Sequence, residues 1–239
     1  ALIPWGSFVR LWGSDWSLSL RHYDFTSSAE GAWPVWNSVK LAAVSGVVGT
    51  VVALVTAYIV ERKRPPGRRA IEALSLLPAA LPGTVIGVGY ILAFNVPPIL
   101  LTGTIWMLVT SVVFWKFPVA ALAGINALKQ IDPAIEEAAV SLGAGSVRTF
   151  WRVVMPLLTG TAFSIFVYFF INGMVTVSAV IFLIYPGFNL GSVAILNQVE
   201  NGFPGVACAL GTIILAIVIG SVLLLRALVG GERVAVLKL

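Results

Sequence analysis

Five long apolar runs constrain this chain more than any other feature of its sequence. Each reaches the roughly 20 residues that an α-helix needs to cross the hydrocarbon core of a bilayer. They lie at about 38–60, 71–94, 99–125, 156–185 and 206–229. Because lipid offers no hydrogen-bond partner to a free backbone amide, we expect each run to be helical. The sequence therefore predicts an all-α polytopic membrane protein with five complete spans, which makes the lipid bilayer its first expected partner.

The predicted membrane domain, 34–229, is flanked by two shorter segments. The opening residues, "ALIPWGSFVRLWG", are too short to cross a bilayer and lack the charged region that begins a signal peptide. We interpret 1–33 as the end of a truncated span followed by an extracytoplasmic segment. Residues 230–239 are predicted to form a cytoplasmic tail.

The basic residues predict the orientation of the chain. Twelve of the 15 Lys and Arg residues fall on one side of the predicted topology, and Arg10, Arg21 and Lys40 fall on the other. Loops rich in Lys and Arg stay in the cytoplasm, so we expect the loop at 129–156 and the C-terminus to be cytoplasmic. The net charge of +5 follows from this bias. No basic patch is interleaved with aromatic residues, and no nucleic-acid partner is expected.

The acidic residues and the scarcity of Cys and His argue against several chemistries. None of the 10 Asp and Glu residues lies in the middle of a predicted span, whereas proton- or sodium-coupled carriers commonly place a carboxylate there. One Cys and one His cannot build a metal cluster or a Cys–His nucleophile. The sequence also lacks a glycine-rich phosphate loop with a Lys. We therefore expect no catalytic residue, metal site or cofactor in this chain, and no enzyme activity.

The predicted cytoplasmic loop begins with a short amphipathic helix. Asp132 suits its N-cap, and Gly143 can end it in a left-handed conformation. Glu136 and Glu137 lie near its positive end. Apolar side chains recur at helical spacing on one face, which consists of Ile135, Ala138, Ala139 and Leu142.

A second short helix follows in the same loop. Ser146 is predicted to cap it, and it carries Arg148 and Arg152 on one face. The alternative is a pair of helices lying on the lipid surface. That alternative fits poorly, because Ala138 and Ala139 are weak anchors and the acids would face anionic lipid. Small residues beside a helix-ending Gly instead favour close contact with a protein partner.

The loop contains a spaced pattern: E-A-A, three residues, G, nine residues, then an apolar residue, any residue, an apolar residue and Pro. It is formed by Glu137, Ala138, Ala139, Gly143, Val153, Met155 and Pro156. The pattern resembles the EAA loop of ABC-importer permeases, the inner-membrane components of binding-protein-dependent transport, with Val153 and Met155 replacing the usual Ile and Leu. The resemblance covers nearly the whole chain. It implies the transmembrane domain of a type I ABC importer in the bacterial inner membrane.

The resemblance also implies partners. In that family the loop docks in a groove of a separate ATP-binding subunit and transmits its closure to the spans. The residues implied to dock are Asp132, Glu136, Glu137, Ala138, Ala139, Leu142 and Gly143. A dimer of that subunit would bind ATP and Mg²⁺. A second permease half, from the same or a homologous chain, and an extracytoplasmic solute-binding protein would complete the importer.

Two further stretches resemble permeases for particular substrates within this family. "LPAALPGTVIGVGYILAFNVPPILLTGT" and "NGMVTVSAVIFLIYPGFNLGSVAILNQVENG" are similar to permeases for ferric iron and for 2-aminoethylphosphonate. Such permeases are often one long chain of two homologous halves, which makes this chain the C-terminal half of a longer permease. Ferric iron is the favoured substrate, and 2-aminoethylphosphonate, a polyamine or thiamine are the alternatives. The chain departs from the iron group at Asn172, where a basic residue tends to occur.

Two features predict where a transport pathway lies. Pro78 and Pro82, with neighbouring glycines, break the second predicted span, and such a break is tolerated only where the backbone faces protein or a cavity. The fourth span carries a polar stripe of Ser164, Tyr168, Asn172 and Thr176. With Pro82, these are the candidate pathway residues. Ordinary hydrogen bonding between helices is the alternative. A secondary carrier or channel, and a membrane scaffold, are the rival functions.

Overall fold

The computed structural model describes residues 2–25, 31–63 and 65–229. The predicted tail at 230–239 lies outside these residues. The helices are α1 (Leu2–Phe8), α2 (Trp33–Tyr58), α3 (Arg68–Leu76), α4 (Gly83–Phe94), α5 (Ile105–Lys129), α6 (Pro133–Ser141), α7 (Ser146–Thr149), α8 (Met155–Leu157), α9 (Thr159–Val175), α10 (Gly191–Glu200) and α11 (Pro204–Val229). The strands are β1 (Val9–Leu11), β2 (Asp15–Leu18), β3 (Asn95–Val96) and β4 (Ile99–Leu100). Single turns of 3₁₀ or π-helix occupy Arg21–Tyr23, Ile59–Lys63, Leu77–Ala80 and Phe150–Val154.

Three of these helices are long and apolar enough to cross a membrane. They are α2 with its π-helical end, α5, and α11 over Pro204–Leu224. They occupy the predicted runs 38–60, 99–125 and 206–229. The run that was expected to be helical from 99 instead begins with the β3–β4 hairpin, in which Val96 pairs with Ile99. The third span consequently starts later than predicted.

The second predicted span is bent rather than continuous. The α3 helix with its 3₁₀ extension meets α4 at an angle of 113°. The bend lies at Leu81, which is extended (φ −99°, ψ 134°), as expected for a residue before proline. Pro82 then occupies the N-cap of α4 and supplies no N–H. The sequence predicted this break from Pro78 and Pro82.

The fourth predicted span, 156–185, is not one continuous helix, and its helical part ends earlier than predicted. It is bent by 80° between Ser146–Leu157 and α9, and α9 ends at Val175. Thr176 is already extended (φ −68°, ψ 137°). Half of the residues at 176–185 are β-branched, and β-branched residues lose side-chain freedom in a helix. If each bent pair is counted as one span, the described residues contain up to five spans.

The core is built around α2, which packs against both α5 and α9. Glycines let the backbones approach closely: a Cβ at Gly173 would lie 2.7 Å from the Cα of Ala42, and one at Gly46 would lie 2.7 Å from the ring of Phe166. Such small-residue contacts are typical of helix packing in membranes. At the chain start, α1 packs against α11 and leads into the β1–β2 hairpin.

Candidate functional site

The α6 helix has well-defined ends. The carboxylate of Asp132 accepts a hydrogen bond of 2.9 Å from the backbone N–H of Ala134, which makes Asp132 the N-cap. Gly143 has a φ of +85°, the left-handed conformation that closes a helix, and its N–H donates to the carbonyl of Val140 at 2.8 Å. Both predicted helix ends are thus present, and they hold α6 as a separate short helix between α5 and α7.

The apolar face predicted for α6 is largely exposed. Ala139 is half-buried, whereas Leu142 has 89% of its surface exposed. We define the α6 outer surface as the exposed side chains of Ile135, Glu137, Ala138, Val140 and Leu142. Exposed apolar side chains concentrated on one short element are a mark of an interaction site. The α6 outer surface is therefore the part of this region that is available to a partner.

Glu136 points away from this surface, toward the end of α2. Its Oε1 lies 2.9 Å from Nε of Arg62, and its Oε2 accepts a hydrogen bond of 3.0 Å from the hydroxyl of Tyr58. The two charged side chains are only 12% and 14% exposed. The Nε–Oε1 contact is an ion pair without hydrogen-bond geometry, and neither atom has a hydrogen-bond partner among the described residues. Each charge is therefore balanced mainly by the other.

Arg62 also holds the backbone just before α6. Its Nη2 donates to the carbonyl oxygens of Leu128 at 2.8 Å and Ile131 at 2.6 Å. A guanidinium suits this task because it offers several donors in a fixed plane. One side chain from the end of α2 thus contacts both the segment that enters α6 and the first turn of α6.

A further contact from α2 corrects the prediction for Ser146. Gly145, not Ser146, is the N-cap of α7, and no side-chain hydrogen bond caps that helix. The Ser146 hydroxyl instead accepts a hydrogen bond of 2.9 Å from Nζ of Lys63. The ring of Phe150 lies 4.8 Å from that of Tyr58. Sequence reasoning missed this set of α2 partners, because nothing local to residues 58–63 indicates which distant residues they meet.

The candidate pathway residues bond mainly within their own helix. Ser164 Oγ donates to the carbonyl of Gly160 at 2.9 Å, and Asn172 Nδ2 donates to that of Tyr168 at 2.8 Å. Thr176 is buried, and its hydroxyl has no hydrogen-bond partner among the described residues. These contacts fit ordinary helix packing as well as a pathway. The pathway assignment stays a prediction.

Pro82 lies beside another irregular segment, the residues that follow α9. A Cβ at Gly87 would lie 2.8 Å from the carbonyl oxygen of Ala179, and one at Gly83 would meet Oγ of Ser178. The break before α4 and the non-helical residues after α9 therefore pack against each other. The sequence predicted the first break and missed the second.

A cavity of about 270 Å³, which we call the amide cavity, lies at the opposite end of α2. Its walls include four amide side chains, those of Asn189, Asn197, Gln198 and Asn201. Sequence reasoning missed this cluster, although three of the four fall within five residues of each other on and just after α10. Amide groups can both donate and accept hydrogen bonds, so this end of the chain offers neutral polar contacts.

Comparison with known proteins matches residues 49–230 to the family described as binding-protein-dependent transport system inner membrane component. The chain is 38% identical over 236 residues to the ferric transport system permease protein FbpB of Actinobacillus pleuropneumoniae, covering 97% of this chain and 34% of that protein. It is 39% identical over 186 residues to the putative ferric transport system permease protein FbpB 1 of Haemophilus influenzae, covering 76% and 29%. The chain thus spans about a third of the length of these relatives.

A solved structure shows the same fold. It is that of a bacterial alginate ABC transporter in complex with an alginate pentasaccharide-bound periplasmic protein. The TM-score is 0.69 at 17% sequence identity, over 85% of this chain and 79% of that chain. At this identity the likeness concerns the arrangement of the helices alone.

Proposed function

The chain belongs to the family of binding-protein-dependent transport system inner membrane components, and from that premise we propose that it is a permease subunit of an ATP-driven importer that docks its ATP-binding subunit through α6. One observation carries the proposal: α6 is a capped helix between spans whose outer surface, with Leu142 89% exposed, leaves apolar side chains free for a partner. Such residues fit a groove of a second protein better than they fit water.

The remaining parts of the importer follow from this role. A dimer of the ATP-binding subunit holds ATP and Mg²⁺, and this chain performs no hydrolysis. A second permease half, fused or separate, forms the pathway together with this one. A solute-binding protein approaches the opposite end of α2, where the amide cavity lies; the solved alginate transporter was crystallised with a periplasmic protein of that kind.

The orientation that the basic residues predict fits this arrangement. With the 61–70 and 129–156 loops in the cytoplasm, α6 faces the compartment that contains ATP. The amide cavity then faces outward. The C-terminus is cytoplasmic, and the whole subunit lies in the bacterial inner membrane.

Ferric iron is the cargo that we favour, because two relatives that are 38% and 39% identical are named as ferric transport permeases. Ferric iron is a hard cation that prefers oxygen ligands. Among the described residues, no group of three or more His, Cys, Asp or Glu could hold a metal ion. Capture of iron is accordingly the task of the binding protein, and the spans make only passing contacts. The alternatives are 2-aminoethylphosphonate, a polyamine or thiamine.

The test uses the full-length transporter that contains this chain, reconstituted in proteoliposomes with its ATP-binding subunit and binding protein. We expect ATP-dependent accumulation of labelled ferric iron. Val140→Asp should prevent co-purification of the ATP-binding subunit and abolish uptake, because it places a charge on the α6 outer surface. The matched control is Val199→Asp on α10, since Val140 and Val199 are 58% and 54% exposed; it should leave co-purification unchanged.

Three outcomes would contradict the proposal in different ways. Accumulation of labelled aminoethylphosphonate but not of iron would replace the cargo. Uptake without ATP would favour a secondary carrier or channel. Co-purification of the ATP-binding subunit without uptake of any tested solute would favour a scaffold.

A further inference from the structure

Two adjacent acidic residues of α6 have different surroundings. Glu137 is exposed on the α6 outer surface, whereas Glu136 is turned inward to Arg62 and Tyr58. The resemblance assigns both acids to docking. Their surroundings differ too much for a shared role, because a carboxylate that is already paired and mostly buried is not available to a partner subunit.

Both partners of Glu136 lie at the same end of α2. Tyr58 ends α2, and Arg62 lies in the π-helical turn that continues it. The neighbouring Lys63 contacts Ser146 beyond α6. Wide π-helical turns occur frequently at functional sites. The end of α2 thus contacts the residues before α6, the first turn of α6 and the residues after it.

The other end of α2 is tied to the outer side of the molecule. Nδ2 of Asn37 donates to the carbonyl of Asn189 at 3.1 Å, and the backbone N–H of Gly191 donates to Oγ of Ser38 at 2.9 Å. Both Asn37 and Ser38 are buried. These bonds join the first turns of α2 to the segment that opens α10 and borders the amide cavity.

We propose that Glu136 is a positioning residue that fixes α6 to α2 through Arg62 and Tyr58, and that α2 carries the displacement of α6 to the outer end of the subunit. This inference rests on the proposed function. Docking itself is performed by the α6 outer surface and does not need Glu136. The α2 helix makes polar contacts at both of its ends, so a movement of α6 can reach the start of α10 through this one helix. Coupling between distant sites can be carried by such a contiguous set of contacts.

The experiment compares Glu136→Gln with Glu137→Gln in the full-length transporter, assembled with its ATP-binding subunit and binding protein. Each variant is tested for co-purification of the ATP-binding subunit and for substrate moved per ATP hydrolysed. A spin label at Ser141→Cys, in an otherwise cysteine-free background, reports the mobility of α6 whether or not the ATP-binding subunit is present. Ser141 is exposed on α6, and its hydroxyl donates to the backbone carbonyl of Glu137 rather than to Arg62 or Tyr58.

Glu136→Gln should retain the ATP-binding subunit, increase the mobility of the spin label and reduce substrate moved per ATP by about tenfold, within the usual range of coupling between sites. Glu137→Gln should do the reverse: it should weaken co-purification and leave the label unchanged in the isolated permease. Tyr58→Phe removes only the hydroxyl that donates to Oε2 of Glu136. It should change the label and the transport per ATP in the same direction as Glu136→Gln, by a smaller amount.

Two results would overturn the inference. One is an unchanged label and an unchanged transport per ATP in Glu136→Gln. The other is loss of the ATP-binding subunit with an unchanged label, which would make Glu136 a docking residue. If Glu136→Gln does not assemble, an unchanged label together with an unchanged transport per ATP in Tyr58→Phe also overturns it. Failure of the proposed function is distinct, since the wild-type transporter would then show no ATP-dependent uptake while the label still reports the contact between α6 and α2.

Discussion

The polar side chains around α6 and those of the α9 stripe differ in where their partners lie. Around α6, Arg62 and Tyr58 reach residues more than sixty positions away in the chain. In the stripe, Ser164 and Asn172 each bond to the carbonyl four residues earlier in their own helix. The first set fixes how separate elements sit together, whereas the second set satisfies hydroxyl and amide groups locally. A polar residue in an apolar chain therefore reveals a functional connection mainly when its partner is distant.

The largest expected effect comes from breaking the distant pair. Arg62→Leu leaves the buried carboxylate of Glu136 without its counter-charge and should lower the free energy of unfolding by about 3–5 kcal/mol. The matched control is Arg68→Leu. Arg68 forms an i,i+4 pair with Glu72 at 3.1 Å, but both side chains are more than a third exposed, so its loss should cost only about 0.3–0.5 kcal/mol. Thermal unfolding in detergent measures both, and equal losses would remove the distinction between the two kinds of contact.

An intermediate effect is expected at the end of α6. Gly143→Leu forces a side chain into the left-handed region, at a cost of about 1–2 kcal/mol. Gly202 supplies a close control, because its φ is +81° against +85° at Gly143 and a Cβ meets nothing within 4 Å at either position. Both variants should lose similar stability. Only Gly143→Leu should also weaken binding of the ATP-binding subunit in a co-purification assay; equal binding by the two variants would show that the end of α6 is not part of the docking surface.

The smallest effects are expected in the stripe. Asn172→Ala removes one bond to its own helix and should lower the free energy of unfolding by at most about 0.6 kcal/mol, the average for hydrogen bonds between helices in a membrane bundle. Thr176→Val removes a hydroxyl that has no hydrogen-bond partner among the described residues and should be neutral or slightly stabilising. Uptake of labelled ferric iron decides the role: normal uptake by both variants favours packing, and a large loss of uptake with these small stability changes favours a pathway.

Features decided by local chemistry could be predicted from the sequence. Asp132 caps α6, Gly143 ends it, and Pro82 breaks the second span, because each effect depends on a few neighbouring residues. The family also followed from a spaced pattern within one loop.

Features decided by distant contacts or by weak preferences could not be predicted. The ion pair between Arg62 and Glu136 depends on how α2 and α6 pack. Ser146 could have capped α7 on local grounds, but its hydroxyl meets Lys63 instead. The end of α9 at Val175 falls inside the long run 156–185, in which no charged residue and no proline after Pro156 gives a boundary. Only the enrichment in β-branched residues at 176–185 indicates one.

The broken second span has a consequence for the stability of this subunit without its partners. The α4 helix starts near the midpoint of the run 71–94, and no side chain among the described residues caps it. The first N–H groups of a helix have no partner within it, and hydrocarbon cannot supply one. Leu77 and Leu81, beside this start, are exposed. Gly83 is buried against Ser178 and Trp115, which reduces the cost within the chain. A partner that covers Leu77 and Leu81 would exclude lipid from the rest of this start, so the free energy of unfolding of the subunit in a bilayer should be larger with that partner than without it.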